Sequence, residues 1–150
     1  MGPEIIERNA SRVLLQDSNG RLLLLRGCDP ANPQEKFWFT VGGGVDDGEG
    51  SRQAACREVK EETGIVLPED ALTGPVHNGL DEFPFDGALI RQRNSYFIAT
   101  VAQERPDIDT SGFEQIEQES VDRNRWWTRE ELAHTTETVY PNNLLEILDR

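Results

Sequence analysis

Three glutamates fall on one face of a predicted helix from Ser51 to Thr63, and this feature constrains the chain most. Glu58, Glu61 and Glu62 stand at positions i, i+3 and i+4, which places their carboxylates side by side. Each like-charge pair destabilises a helix by roughly 0.2–0.5 kcal/mol, and the negative end of the helix dipole adds to that cost. A bound divalent cation would offset both effects, and an all-oxygen ligand set favours Mg²⁺ or Mn²⁺ over zinc. A solvated acidic face is the alternative interpretation, because runs of charge usually face solvent.

The residues around this helix indicate where it begins and what it contacts. Ser51 is predicted to cap its N-terminus and Gly64 its C-terminus. Arg57 can pair with Glu61, which lies four residues further along the helix, or with Glu49 in the preceding loop.

The complete spacing of this segment runs from Gly43 to Ile65. Gly43 is followed after five residues by Glu49 and after seven more by the run Arg57-Glu58-Val59-Lys60-Glu61-Glu62-Thr63-Gly64-Ile65. This order resembles the Nudix box, GX5EX7REUXEEXGU with U apolar, at every defined position. Seven fixed positions at roughly 7% usage each would match by chance about once in 10⁸ starts, so the motif is specific. One departure is Val41, where many members carry a proline, and it affects loop stiffness more than metal ligation.

The resemblance implies an α/β fold of the Nudix type, an α/β/α sandwich with a mixed sheet. It also implies the roles of several residues. The implied metal ligands are Glu58, Glu61, Glu62 and the carbonyl of Gly42. Arg57 is expected to orient a glutamate, and Glu49 to lie near the metals. Glu58 is the first choice for the general base. Glu117 and Glu119 are candidates for that role or for an additional ligand.

The implied activity is Mg²⁺-dependent hydrolysis of a nucleoside diphosphate linked to a further group, with release of a nucleoside monophosphate. Candidate substrate-binding residues are Arg91 and Arg93, which share a strand face, and Phe83, which could stack on a base. Secondary signatures of other subgroups are not evident, so a nucleoside triphosphate or its oxidised form is the default substrate by exclusion. Two alternatives remain open: a non-hydrolytic nucleotide sensor, and an isomerase on the same fold.

Composition excludes several classes of protein. The 28 acidic and 15 basic residues give a net charge of −13, which argues against a partner that is a nucleic acid polymer. No apolar run approaches the roughly 20 residues that span a bilayer, and no signal peptide is evident. Cys28 and Cys56 are expected to be reduced thiols, as in the cytoplasm. We expect one domain over residues 1–150, and the oligomeric state is open, a homodimer included.

Hydrophobic patterning predicts the remaining elements, with strands interleaved with helices and a sheet covered on both faces. A hairpin should join Ser11–Gln16 to Arg21–Arg26, and this argues against a purely parallel sheet. The predicted elements after the hairpin are a loop at Gly27–Lys36, strands at Phe37–Val41, Leu89–Val101 and Val121–Trp127, a helix opened by the capping box Thr128–Glu131, and a final helix from Pro141 to Leu148.

Overall fold

The computed structural model describes residues 2, 4–112 and 120–150 and contains one seven-stranded mixed sheet. The strands are β1 (Ile5–Gln16), β2 (Leu22–Asp29), β3 (Asn32–Gly44), β4 (Thr73–Phe85), β5 (Ala88–Thr100), β6 (Val121–Trp127) and β7 (Val139–Tyr140). The helices described are α1 (Ser51–Thr63), α2 (Arg129–His134) and α3 (Leu144–Leu148), with a 3-10 turn at Glu69–Ala71.

The order of the strands places the end of β3 beside the middle of β1. The main path through the sheet is β4-β5-β1-β2-β3-β7, and β6 pairs with β2. β1 runs parallel to β5 along its whole length, from Ile5 opposite Leu89 to Gln16 opposite Thr100. The same strand pairs antiparallel with the glycine end of β3, where Ala10 lies opposite Gly44. The sheet is therefore mixed, as expected.

Helices cover both faces of the sheet. Successive strand residues point to opposite sides, so each face has its own core. One core packs α1 against the sheet and contains Val13, Leu15, Leu23, Val41, Ala55, Val59, Leu72, Phe97 and Ala99. The other core packs α3 against the opposite face and contains Leu14, Leu22, Leu24, Trp38, Tyr96, Trp127, Leu144, Ile147 and Leu148. Burial of a side chain of this size contributes about 1.5–3 kcal/mol. The predicted α/β/α arrangement is confirmed, and no helix in the described part of the chain has the length and apolarity to cross a membrane.

Helix α1 has the predicted span but a different N-cap. Gly50 is the capping residue, with extended backbone angles of φ −79° and ψ 160°. Ser51 already belongs to the helix, and its carbonyl accepts a hydrogen bond from Ser11 Oγ at 2.6 Å. Gly64 ends the helix in the left-handed conformation, at φ 76°, as predicted.

Several predicted boundaries are wrong. The segment Gly27–Lys36 is not a loop, because β2 continues to Asp29 and β3 begins at Asn32. Pro30 lies in the turn between the two strands, and Pro33 lies in the irregular start of β3. The register shifts there, so no regular ladder of hydrogen bonds requires the N–H groups that the prolines lack. The last helix begins at Leu144 rather than Pro141. β4 was not predicted, because glycines and prolines interrupt its hydrophobic pattern, and pairing with β5 holds it in place.

Candidate active site

Arg57, on α1, is at the centre of the candidate site. Its Nε and Nη2 donate to the two carboxylate oxygens of Glu49 at 2.8 and 2.9 Å. Its Nη1 donates to Glu58 at 3.0 Å and to Glu61 at 3.2 Å, and Nη2 also donates to the carbonyl of Gly44 at 2.8 Å. Both pairs expected from the spacing are present. One guanidinium thus joins the loop before α1, the end of β3 and two α1 carboxylates through charge-assisted hydrogen bonds.

Two buried carboxylates of α1 lie against the glycine end of β3. Glu62 is 1% exposed and accepts a hydrogen bond from the backbone N–H of Gly42 at 2.7 Å. Glu58 is 7% exposed, and a Cβ added to Gly43 would lie 2.6 Å from its carboxyl carbon. Glycine at position 43 therefore keeps open the space that the Glu58 carboxylate occupies. This close approach gives a physical reason for the first glycine of the motif.

The donor set fits a hard divalent cation. Glu58, Glu61 and Glu62 offer only carboxylate oxygens, and the glycine strand preserves room beside the first of them. In residues 4–112 and 120–150, no group of three or more His, Cys, Asp or Glu side chains has metal-site geometry as it stands. Arg57 holds one oxygen of Glu58 and one of Glu61. A cation that binds those oxygens would therefore compete with this guanidinium.

The carbonyl of Gly42, the predicted fourth metal ligand, accepts a hydrogen bond from an arginine side chain. Arg12, on β1, donates from Nη1 to this carbonyl at 2.9 Å and to the carbonyl of Thr40 at 3.3 Å. Gly42 itself has φ 140°, and a Cβ there would lie 2.1 Å from the carbonyl oxygen of Ser11. Only glycine allows this close approach of β1 and β3. Arg12 was not predicted from the sequence, because no local spacing links it to the motif.

Ion pairing sets the protonation of the Arg57–Glu49 pair. The hydrogen bond from Arg57 lowers the pKa of Glu49 below its ordinary value, although desolvation opposes the shift. In turn, the hydrogen bond to Glu49 raises the pKa of Arg57 far above its ordinary value. Both groups are therefore charged at neutral pH, as a bidentate pair requires.

The three predicted substrate-binding residues do not converge. Arg91 and Arg93 lie on one face of β5, whereas Phe83 lies opposite Ile90 on the other face. Arg93 lines a cleft of about 580 Å³ beside the N-terminus of α1. Arg91 does not line that cleft and instead pairs with Glu7 at 3.6 Å and with Glu82 at 3.4 Å. Glu117 and Glu119 lie outside the described residues.

Two buried polar side chains on β5 were also not predicted from the sequence. Gln92 is 1% exposed and Asn94 is 4% exposed, and both lie on the sheet face opposite α1. Their alternation with Arg91 and Arg93 on the same strand was the available signal. Which face was buried became clear only from the pairing of β5 with β1 and β4.

Comparison with known proteins identifies the family to which this sequence is similar. A family model described as NUDIX domain matches residues 7–146. The chain is 43% identical over 61 residues to the dihydroneopterin triphosphate diphosphatase of Escherichia coli (strain K12), a match that spans 41% of this chain but only 37% of that protein. It is 28% identical over 113 residues to the RNA pyrophosphohydrolase of Sphingopyxis alaskensis, with 68% of each chain covered.

A solved structure shares the fold along nearly its whole length. The Escherichia coli dihydroneopterin triphosphate pyrophosphohydrolase superimposes with a TM-score of 0.65 at 22% identity, covering 97% of this chain and 99% of that one. Identity at this level shows the common fold alone. The family match, by contrast, covers nearly all of the sequence and includes the whole motif from Gly43 to Ile65. The chain belongs to the NUDIX domain family.

Proposed function

We propose that this chain is a hydrolase of phosphoanhydride bonds that depends on a divalent cation. Its substrate is a nucleoside diphosphate linked to a further group, and its product is a nucleoside monophosphate. The observation that carries the proposal is the contact set of Arg57, which binds Glu49, Glu58 and Glu61 at once beside the glycine end of β3. Two relatives with names of diphosphatase and pyrophosphohydrolase support the same reaction class.

The proposed cation is Mg²⁺, with Mn²⁺ as the alternative. Glu58, Glu61 and Glu62 would hold it, with the Gly42 carbonyl as a further ligand. When bound, such an ion neutralises phosphate charge and lowers the pKa of a coordinated water. The buried position of Glu62 and its hydrogen bond from the Gly42 N–H fix one carboxylate relative to the strand. That fixed placement supports a site formed before the ligand arrives.

The protein groups have separate proposed roles. Glu58 is the proposed general base, because its carboxylate is buried beside the glycine strand and oriented by Arg57. Arg57 positions that carboxylate, since its guanidinium is itself fixed by the two-point contact with Glu49. Glu117 and Glu119 stay candidates for an additional carboxylate.

A nucleoside triphosphate is the proposed substrate class. One relative is named for a triphosphate substrate, dihydroneopterin triphosphate, and no subgroup signature for another substrate is evident. Arg91, Arg93 and Phe83 stay candidate substrate contacts: Arg93 lines the cleft beside α1, and Phe83 lies on the opposite face of the sheet. The net charge of −13 supports a small ligand that arrives with its cation rather than a nucleic acid polymer. A single domain and a cytoplasmic location remain predictions from the sequence.

The test is turnover of a panel of nucleoside triphosphates, dinucleotides and nucleotide sugars with Mg²⁺, with products identified by mass spectrometry. We expect a nucleoside monophosphate from at least one compound. Glu58→Gln should lower kcat by about 10²–10⁴-fold, the usual contribution of a general base. Glu130→Gln, on the exposed first turn of α2, is the control for loss of one carboxylate and should keep wild-type turnover. Near-wild-type turnover by folded Glu58→Gln would contradict the assignment of the base. Nucleotide binding without any turnover would favour the non-hydrolytic sensor instead.

A further inference from the structure

A chain of hydrogen bonds crosses β4 and β5 on the sheet face opposite α1. Asn94 Nδ2 donates to Asp81 Oδ2 at 2.7 Å, and Gln92 Nε2 donates to Asn94 Oδ1 at 2.7 Å. We call Asp81, Asn94 and Gln92 the amide relay. It begins at an exposed carboxylate and ends at a side chain that is 1% exposed.

The carboxylate end determines the orientation of both amides. An ionised carboxylate accepts hydrogen bonds and donates none, so Asn94 must turn its NH₂ group toward Asp81. The Asn94 side-chain oxygen then faces Gln92, which must donate from its own NH₂ group. The relay therefore leaves Gln92 Oε1, an acceptor, at its buried end.

Gln92 Oε1 has no hydrogen-bond partner. Within the described part of the chain it is one of two buried side-chain polar atoms in this state, the other being Trp127 Nε1. A buried acceptor without a donor destabilises the fold, so such atoms in native proteins need an explanation. The indole at position 127 sits in the α3 core, whereas the relay stands apart from that core. A ligand donor is the explanation that the surroundings of Gln92 favour.

The strand register places the relay two strands from the glycine end of β3, on the face opposite α1. Gln92 lies opposite Arg8 on one side and Asp81 on the other. The next row across the sheet is made mainly of small residues: Gly44, Ala10, Asn94 and Gly79. From β5 to β3 is two strand spacings, or about 10 Å. That span separates a base from the phosphates of a nucleotide, and the row ends at Gly44, whose carbonyl binds Arg57.

The same face carries an aromatic side chain and a cation. Phe83 follows Asp81 by two residues on β4 and lies opposite Ile90, so it flanks the relay on the same face. Arg8 reaches over the row of small residues, since its Nη2 lies 3.0 Å from the position of a Cβ on Gly44. The Arg8 side chain is exposed and unbranched, and its displacement would open the row.

We infer that Gln92 Oε1 accepts a hydrogen bond from an N–H group on the heterocyclic base of the substrate. Asp81 is a positioning residue, because it holds both amides in the orientation that presents an acceptor. Phe83 provides the neighbouring apolar surface for the ring. The inference rests on the proposed function for the kind of ligand, but its test measures binding alone.

The test uses α,β-methylene triphosphate analogues, which are not cleaved at that linkage, with Mg²⁺ in a calorimeter. Adenosine and guanosine analogues are compared with purine riboside, and cytidine and uridine analogues with zebularine. Purine riboside and zebularine keep the ring but lack the base N–H donors. Wild-type protein should bind at least one donor-bearing analogue about tenfold or more tightly than its donor-free partner.

Two variants locate this preference in the relay. Gln92→Leu keeps the volume but removes the acceptor, so the ratio of the two Kd values should fall close to one. Asp81→Asn removes the fixed orientation while keeping the shape, and it should reduce the same ratio. Gln103→Leu, the same change at an exposed loop position, should leave the ratio unchanged. Thermal unfolding verifies that each variant is folded.

The inference is overturned if wild-type protein binds none of the donor-bearing analogues more tightly, or if folded Gln92→Leu keeps the preference. Both outcomes are independent of turnover. Failure of the proposed function would instead appear as absence of hydrolysis of every natural phosphoanhydride, whatever the base preference.

Discussion

Arg57 donates two hydrogen bonds to the Glu49 carboxylate, from Nε to Oε2 at 2.8 Å and from Nη2 to Oε1 at 2.9 Å. Glu49 precedes α1 and Arg57 lies within it, so this bidentate pair ties the loop to the helix that bears the other carboxylates. Asp46 closes the loop further, because its N–H donates to Glu49 Oε1 at 3.0 Å. The glutamate thus fixes the guanidinium, and the guanidinium orients Glu58 and Glu61.

Arg57→Lys should lower kcat/KM by on the order of a hundredfold, the size of effect that small misplacement of catalytic groups produces. An ammonium keeps the charge but cannot reach Glu49, Glu58 and the Gly44 carbonyl together. Steady-state kinetics on the best substrate of the panel measure the change. Arg129→Lys is the matched control, since Arg129 makes an exposed pair with Asp149 on the other side of the sheet. Equal losses of kcat/KM in the two variants would contradict the proposed role of Arg57.

The stability contribution of Glu49 should depend on pH. Arg57 lowers the folded-state pKa of Glu49 below its ordinary value of 4.5. The carboxylate therefore stabilises the fold above that value, and the contribution is lost as the pH falls through the folded-state pKa. Urea unfolding of wild type and Glu49→Gln should show a larger difference in free energy at pH 7 than near pH 3. A difference that stayed constant or grew in acid, after subtraction of the effect of Glu130→Gln, would refute this linkage.

Gly43→Ala should reduce activity strongly while the protein remains folded. The added Cβ would lie 2.6 Å from the carboxyl carbon of Glu58, so that carboxylate must move. Gly50→Ala is the control, because nothing lies within 4 Å of its added Cβ and its φ of −79° suits alanine. The turnover of both variants is measured with saturating Mg²⁺, and only Gly43→Ala should show a large loss. If Gly43→Ala were as active as Gly50→Ala, the close approach would have no functional meaning.

Gly64→Ala should destabilise the protein more than Gly20→Ala. Both glycines have a left-handed backbone, at φ 76° and 78°, and this conformation alone costs alanine about 1–2 kcal/mol. At Gly64 the new Cβ would also lie 2.9 Å from Cβ of Asp109, whereas at Gly20 nothing lies within 4 Å. Urea unfolding gives both free energies. Equal losses would show that the contact with Asp109 relaxes without cost.

Local signals in the sequence predicted the elements that carry their own boundaries. α1 ends where Gly64 supplies a left-handed residue, and α2 begins where Thr128 and Glu131 form the predicted capping box. β6 spans Val121–Trp127 as expected. The extent of β2, β3 and β4 could not be predicted, because pairing with neighbouring strands sets where they begin and end, as at Gly79 opposite Asn94.

The contacts of the candidate site also fall into those that local spacing predicted and those that depend on strand register. The Arg57 contact to Glu61 follows from helical spacing, and the contact to Glu49, in the loop before α1, was also expected. The contact of Arg12 with the Gly42 carbonyl depends on the register of β1 against β3. The burial of Gln92 depends on three paired strands at once. No local pattern contains that information, and for this reason the spacing favoured the neighbours Arg91 and Arg93.

The most direct test of the central claim is hydrolysis of the best substrate measured against Mg²⁺ concentration, for wild type and Glu61→Gln. Glu61 is the most exposed of the three α1 glutamates, so its replacement is the least disruptive to the core. The α1 carboxylates are predicted to bind the cation. Turnover should therefore vanish in EDTA and return with Mg²⁺, and Glu61→Gln should need a clearly higher concentration for half-maximal recovery. Turnover that persists in EDTA, or the same Mg²⁺ dependence in both proteins, would contradict the account.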